Sequence, residues 1–251
     1  MPTQSEFETA YRRLARILLE RPNAFACCEA TTLDEWVSSA ALARVPRGEV
    51  LARRNEVCES LLLLVEGALE VSLACTGAKR HLITFALPGM IIGYLALADG
   101  GPNAHDLVAH LPSVVCHIPL DLVRQRARID FGVHAAVAAE LARRSRLLYE
   151  QLTLNTMYKL PERLAHKLLQ LLGDIGYQRD GCWMLDLLLP QADLADLLGG
   201  TRQSVNAELR ALQAAGVVKV GRRAIAILDL PALRARCAYL PPAASGPLVA
   251  T

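Results

Sequence analysis

The stretch from Gln191 to Leu228 leaves this chain little choice of local structure. Apolar Leu194, Ala195, Leu197 and Leu198 give one short helical pattern. Gly199-Gly200 interrupts it, and Thr201 opens a second pattern that runs from Arg202 to about Ala214 before Gly216. Glycine ends helices because it enters left-handed backbone without steric cost, and a Thr hydroxyl can accept an orphan amide of a first helical turn. Two helices around a tight glycine turn make a helix-turn-helix. Val217 to Val220 and Ala224 to Leu228 then read as strands around Gly221-Arg222-Arg223, a hairpin with a basic tip, so the whole is a winged helix-turn-helix.

Side-chain chemistry suggests what such a unit meets. At about 100° per residue, Arg202, Gln203, Asn206, Arg210 and Gln213 share one arc of the second helix. Val205, Leu209 and Leu212 share another, and Glu208, the only acid, lies outside the polar arc. That arc can enter a phosphate-lined groove without like-charge repulsion. In a DNA major groove Gln pairs bidentately with adenine and Arg with guanine, each good pair discriminating by about 1–3 kcal/mol, while the capped helix start and the basic wing hold phosphates. The candidate DNA contacts are Gln191, Thr201, Arg202, Gln203, Asn206, Arg210, Arg222 and Arg223. A solvated helix face is the competing account of Gln203, Asn206 and Arg210; the glycine turn, the cap and the basic hairpin in register weigh against it. Charge agrees, since residues 201–223 hold five basic residues and one acid although the whole chain carries only +2.

With 251 residues, 53% of them hydrophobic and 21% charged, the chain can bury one or two cores, and two domains are expected. An arginine-bearing helix is predicted for Glu6 to Glu20, ended by Pro22. From Val45 to Ile118, turn signals such as Val65-Glu66-Gly67-Ala68, Cys75-Thr76-Gly77-Ala78 and Leu87-Pro88-Gly89 cut short apolar runs, which predicts an antiparallel β-barrel or roll. Leu120 to Met157 nearly lacks glycine and predicts one long helix. Its seam of His134, Val137, Leu141, Leu148 and Leu152 suits a two-fold helix–helix contact; a helix lying along its own domain is the alternative. Leu160-Pro161-Glu162 starts a further helix, stopped near Leu172 by Gly173 and Gly176. The expected class is α+β: an antiparallel, jelly-roll-like β-roll with N-terminal helices over 1–119, a dimerisation helix over 120–158, a winged helix-turn-helix over 159–240 and a disordered tail over 241–251.

Several function classes lack support. No nucleophile–base constellation, phosphate loop or metal-ligand spacing is present, so no enzyme, catalytic residue or metal site is expected. Seven irregularly spaced cysteines argue against a disulfide framework. The N-terminus carries neither a basic cluster nor an apolar stretch, and the longest near-apolar run, Met90 to Ala98, is far short of a membrane span. A soluble, cytoplasmic protein follows as an expectation.

Thr201-Arg202-Gln203-Ser204-Val205-Asn206, followed by Leu209, Leu212, Gly216 and the hairpin to Asp229, resembles the helix-turn-helix of the Crp/Fnr superfamily of bacterial transcription regulators. Val65 to Val71 and Pro88 to Gly93 are similar to the β-roll of that family's cyclic-nucleotide-binding-type sensor, and the long helix to its dimerisation helix. The resemblance, over roughly residues 40–232, implies a homodimer bound to a two-fold site on double-stranded DNA. It also implies RNA polymerase as a partner and a small-molecule effector coupled to DNA through the central helix. Base reading would fall to Arg202, Gln203 and Asn206. The commonest family pattern has an Arg where Ala207 stands, so one guanine contact is expected to be missing.

Family members that bind cyclic AMP carry Gly-Glu-Leu-Ala and then Arg-Ser/Thr-Ala, the Glu holding the ribose and the Arg the phosphate. Here the matching segments are Gly93-Tyr94-Leu95-Ala96 and Asn103-Ala104-His105-Asp106, and the adenine-holding positions of the long helix are Leu148 and Tyr149. A buried phosphate without its arginine lacks its main charge partner. The expectation is a different, less anionic effector or none, in a pocket of Gly93, Tyr94, Leu95, Ala104, His105, Leu148 and Tyr149. No cofactor is expected: adjacent Cys27 and Cys28, with Cys58 thirty residues on, do not suit an iron–sulfur cluster, and His81, His105, His110, His117 and His134 form no haem-ligand pair. Cys75, Cys116, Cys182 and Cys237 read as packing residues. The alternative function is a ligand-sensing protein whose helix-turn-helix is vestigial and which acts through protein partners.

Overall fold

A computed structural model describes residues 4–21, 25–74, 80–179, 181–186, 191–221 and 224–237. The chain divides into two units, Met1–Leu147 and Leu148–Thr251. The expected tail over 241–251, the Cys75 to Ala78 turn and the wing tip Arg222-Arg223 lie outside the described residues.

In the first unit α1 (Gln4–Leu19) and α2 (Ala30–Ser39) precede β1 (Ala41–Val45), β2 (Val50–Ala52), β3 (Ser60–Glu66), β4 (Leu69–Ala74), β5 (Arg80–Ala86) and β6 (Ile91–Ile92). A short α3 (Tyr94–Asp99), β7 (Asp106–Ala109), β8 (Ser113–Pro119) and α4 (Leu120–Ala127) follow, and the unit boundary after Leu147 falls inside α5 (Phe131–Met157). The strands make two antiparallel sheets, ordered β1-β8-β3-β6 and β2-β7-β4-β5. The unbroken run Leu61 to Val65 shows why β3 is central. Leu62 and Leu64 face the second sheet with Leu69, Val71, Leu107 and Val115, whereas Leu61, Leu63 and Val65 face the helices with Phe7, Leu18, Phe25, Leu33 and Trp36. A strand covered on both faces has no use for polar alternation. At the β3–β4 turn Gly67 has φ +91°, and a Cβ there would lie 2.3 Å from Ser113 Oγ.

One expectation is corrected here. Leu120 to Met157 is not a single helix: α4 ends at Ala127, and α5 starts at Phe131. The reason is Asp130, a buried carboxylate that accepts the Gly132 amide at 2.8 Å and the Glu29 amide at 2.9 Å, capping a new helix. The predicted seam is also split. Val137 and Leu141 pack on the helix-side core beside Val133 and Ala136, while His134, Leu148 and Leu152 are exposed.

The second unit holds α6 (Leu160–Ile175), β9 (Tyr177–Arg179), β10 (Cys182–Asp186), α7 (Gln191–Leu197), α8 (Arg202–Ala214), β11 (Val218–Val220), β12 (Ala224–Ile227) and α9 (Leu230–Ala235). Helix α6 continues through Gly173 and ends at Gly176, a second correction: one exposed glycine inside a helix costs only about 1 kcal/mol. The wing strands belong to a larger antiparallel sheet, ordered β11-β12-β10-β9. Buried Leu164, Leu168, Leu185, Leu194, Val205, Leu209, Ile225 and Leu233 form the interior of this unit.

Two histidines of the first unit tie stability to pH. Burial pulls His117 below its usual value; His105 is lowered by burial and then by the charges of Arg144 and Arg54, which outweigh Asp106. Below the usual 6.5 the unfolded chain therefore binds more protons than the folded one, and stability falls with pH until the folded values are passed. Denaturant midpoints should drop between about pH 8 and about pH 5, and His117→Gln should make that drop smaller.

Candidate functional site

The turn between α7 and α8 is built as the residues demand. Gly199 has φ +58°, and the Gly200 amide returns to the Ala195 carbonyl at 3.0 Å. Thr201 Oγ1 accepts the Ser204 amide while Ser204 Oγ accepts the Thr201 amide, both at 3.1 Å. This reciprocal cap uses a hydroxyl where glutamate is common, so the helix start presents its partial positive charge with no acid in the first turn.

Along α8, Val205, Leu209 and Leu212 are buried, and Arg202, Gln203 and Arg210 are exposed. Asn206 is half-buried, with its Oδ1 enclosed and unpartnered. Gln213, on the same arc, is committed elsewhere: its Oε1 accepts the Val220 amide at 2.9 Å and joins the helix to β11. Thr201 is exposed at the cap, and Gln191 is the first residue of α7.

The residues expected to line an effector pocket are Gly93, Tyr94, Leu95, Ala104 and His105 of the first unit and Leu148 and Tyr149 of the second. Gly93, at φ +109°, precedes α3. Tyr94 is 1% exposed and belongs to the helix-side core, stacked 5.6 Å from Phe25; its hydroxyl is buried without a hydrogen-bond partner. The Tyr94 ring therefore faces this core rather than solvent. Burial raises its phenol above the ordinary value. Leu95 is exposed, and Ala104 and His105 are half-buried. Leu148 and Tyr149 are 65% and 71% exposed.

Arg144 was not anticipated as a site residue. Its guanidinium donates to the Ile91 carbonyl at 2.7 Å, pairs with Glu140 at 2.6 Å and lies 5.3 Å from the Tyr94 ring centre. From α4, Arg124 donates to the Ala96 carbonyl at 3.1 Å. The segment from β6 to α3 is therefore held through its carbonyls by two helices. The i,i+4 spacing of Glu140 and Arg144 was the available cue.

Two family models match this chain: a Crp-like helix-turn-helix domain over residues 162–236 and a cyclic nucleotide-binding domain over residues 42–130. Together they span well over half of it. The chain belongs to the Crp/Fnr superfamily of DNA-binding transcription regulators. Among the relatives of this Crp/Fnr regulator, a CRP-like cAMP-activated global transcriptional regulator of Mycobacterium tuberculosis is 24% identical over 191 residues, covering 76% of this chain and 85% of its own. The cyclic AMP receptor protein of Thermus thermophilus is 28% identical over 180 residues, covering 70% and 78%. The solved structure of FixK2 from Bradyrhizobium japonicum shares the fold, with TM-score 0.73 and 23% identity over 80% of this chain and 99% of that one.

The Gln213 brace gives this regulator a testable joint. Gln213→Ala should speed hydrogen exchange at the Val220 amide and weaken DNA binding about fivefold, the value of one hydrogen bond near 1 kcal/mol. Native exchange and fluorescence anisotropy with labelled DNA check the two effects.

Proposed function

We propose that this Crp/Fnr regulator acts as a homodimer on a two-fold operator, each subunit placing α8 in a major groove. The observation that carries the reading is an amphipathic α8, with Arg202, Gln203 and Arg210 exposed over buried Val205, Leu209 and Leu212. Arg202 would read guanine and Gln203 adenine, with Asn206 beside them, while Ala207 offers only a methyl group. Thr201, Arg210, Gln191 and the wing residues Arg222 and Arg223 would hold phosphates. Residues 1–119 serve as the sensor, α5 as the dimerisation helix and 159–240 as the DNA-binding domain; RNA polymerase is the protein partner, the cytoplasm the setting, and no catalytic step is assigned.

The subunit contact is the exposed side of α5, through His134, Leu148 and Leu152, with Tyr149 beside them. Val137 and Leu141 leave this proposal because they pack on their own core. Large apolar side chains left at 62% to 71% exposure support a partner helix there. Control falls to an effector other than cyclic AMP, since Tyr94 and Ala104 supply neither a carboxylate nor a guanidinium.

Gel-shift titrations against selected genomic fragments test the DNA reading. Affinity should fall with salt at a log–log slope of about −0.9 per phosphate contacted. Arg222→Ala with Arg223→Ala should weaken all sequences alike, and Gln203→Ala should change base preference by about 1–3 kcal/mol. No bound fragment at low salt would favour the alternative of a vestigial helix-turn-helix. Separately, Leu152→Glu should shift the protein to monomers in sedimentation with its helical content unchanged; an intact dimer would move the interface off α5.

A further inference from the structure

Between α1 and α2 the chain passes directly under the start of α5. A Cβ on Gly132 would stand 2.2 Å from the Cys27 carbonyl oxygen and 2.7 Å from Cys28 Cα, so only glycine permits this approach. Cys27 is exposed, and its thiol donates to the Gly132 carbonyl at 3.3 Å. Cys28 follows directly in the chain and is half-buried against the helix-side core. Asp130 adds two ties, one oxygen on the Glu29 amide and the other on the Gly132 amide. Residues 27–29 and 130–132 therefore move together.

We propose that Cys27 and Cys28 form a redox-active vicinal dithiol, which a hydroperoxide converts to a disulfide that loosens the first turn of α5. Cys27 sulfur attacks the peroxide, the O–O bond breaks, and the Cys27 proton leaves with the departing oxygen as an alcohol or water. The sulfenic acid left on Cys27 is then attacked by Cys28 sulfur. The S–S bond forms, and the second oxygen leaves as water with the Cys28 proton. Two thiols lose two electrons and the hydroperoxide gains them. Exposure selects Cys27 as the attacking group, because burial, then the Asp130 charge and Cys27, push the Cys28 thiol up to about 12 and keep it protonated until it resolves.

The mechanical consequence follows from ring geometry. Consecutive Cα atoms are about 3.8 Å apart across a trans peptide, shorter than the roughly 4.4–6.8 Å that disulfides prefer, so closing the ring must twist the peptide between the two residues. Oxidation also removes the hydrogen that Cys27 donates to Gly132. A twisted 27–28 backbone cannot keep its fit over Gly132, and the cap at Asp130 is strained with it.

The test uses the reduced full-length protein and stoichiometric hydrogen peroxide. Peptide mapping should find one peptide carrying both cysteines with two hydrogens lost, restored by dithiothreitol, and absent from Cys27→Ser and Cys28→Ser. Hydrogen exchange over residues 130–136 should rise several-fold on oxidation of the native chain and remain unchanged in either variant. Cys27 driven to sulfinic acid with Cys28 still a thiol would overturn the proposal, as would a disulfide that leaves that exchange unaltered. Neither readout involves DNA, so a protein that bound no operator would remove the functional reading and leave this one standing.

Discussion

Glu140 on α5 is 6% exposed, and a carboxylate so enclosed persists only with its charge matched. Arg143 and Arg144 supply the match, with hydrogen bonds of 2.6 to 2.8 Å. Burial alone would raise the Glu140 carboxyl; the two guanidinium groups together outweigh it and hold it below the usual carboxylate range. Because Arg144 also binds the Ile91 carbonyl, this cluster determines which face of α5 turns inward. Val133, Ala136, Val137 and Leu141 follow onto the core, and the opposite face is left for other use. Turning the helix by one residue would carry Glu140 away from both its neighbours and its shelter.

The helix-turn-helix unit depends on a different arrangement of charge. A serine at the third helical position closes the Thr201 cap without adding an acid, and the one glutamate of α8 stands apart from the exposed arc. The helix dipole and the arginines thus act with the same sign on an approaching phosphate. Gln213 shows that not every polar residue on the arc is available to DNA, since its carbonyl is occupied by the wing strand.

How much was legible depended on how local the cause was. The helix-turn-helix was legible almost to the residue, because Gly199, Thr201 and Gly216 act through their own backbone and nearest neighbours. The β-roll was legible from its turns, although the pairing of β3 with β8 was not, since strands far apart in sequence carry no mutual label. The break before α5 was missed although its cap at Asp130 is local, because the second bond that holds this carboxylate comes from the Glu29 amide, which no local pattern pairs with it. The hairpin of β9 and β10 was missed for a similar reason: short strands become stable only beside β12.

The sequence by itself determined the turn-punctuated β-roll, the helix-turn-helix and the capped second helix of that motif. These rest on residue identity and on interactions within a turn or two. Tertiary structure decided which side of α5 is buried, that Tyr94 is a core residue, and that Cys27 and Cys28 lie against Gly132. Each of those depends on distant segments competing for the same space, and close packing admits one solution that no local pattern encodes.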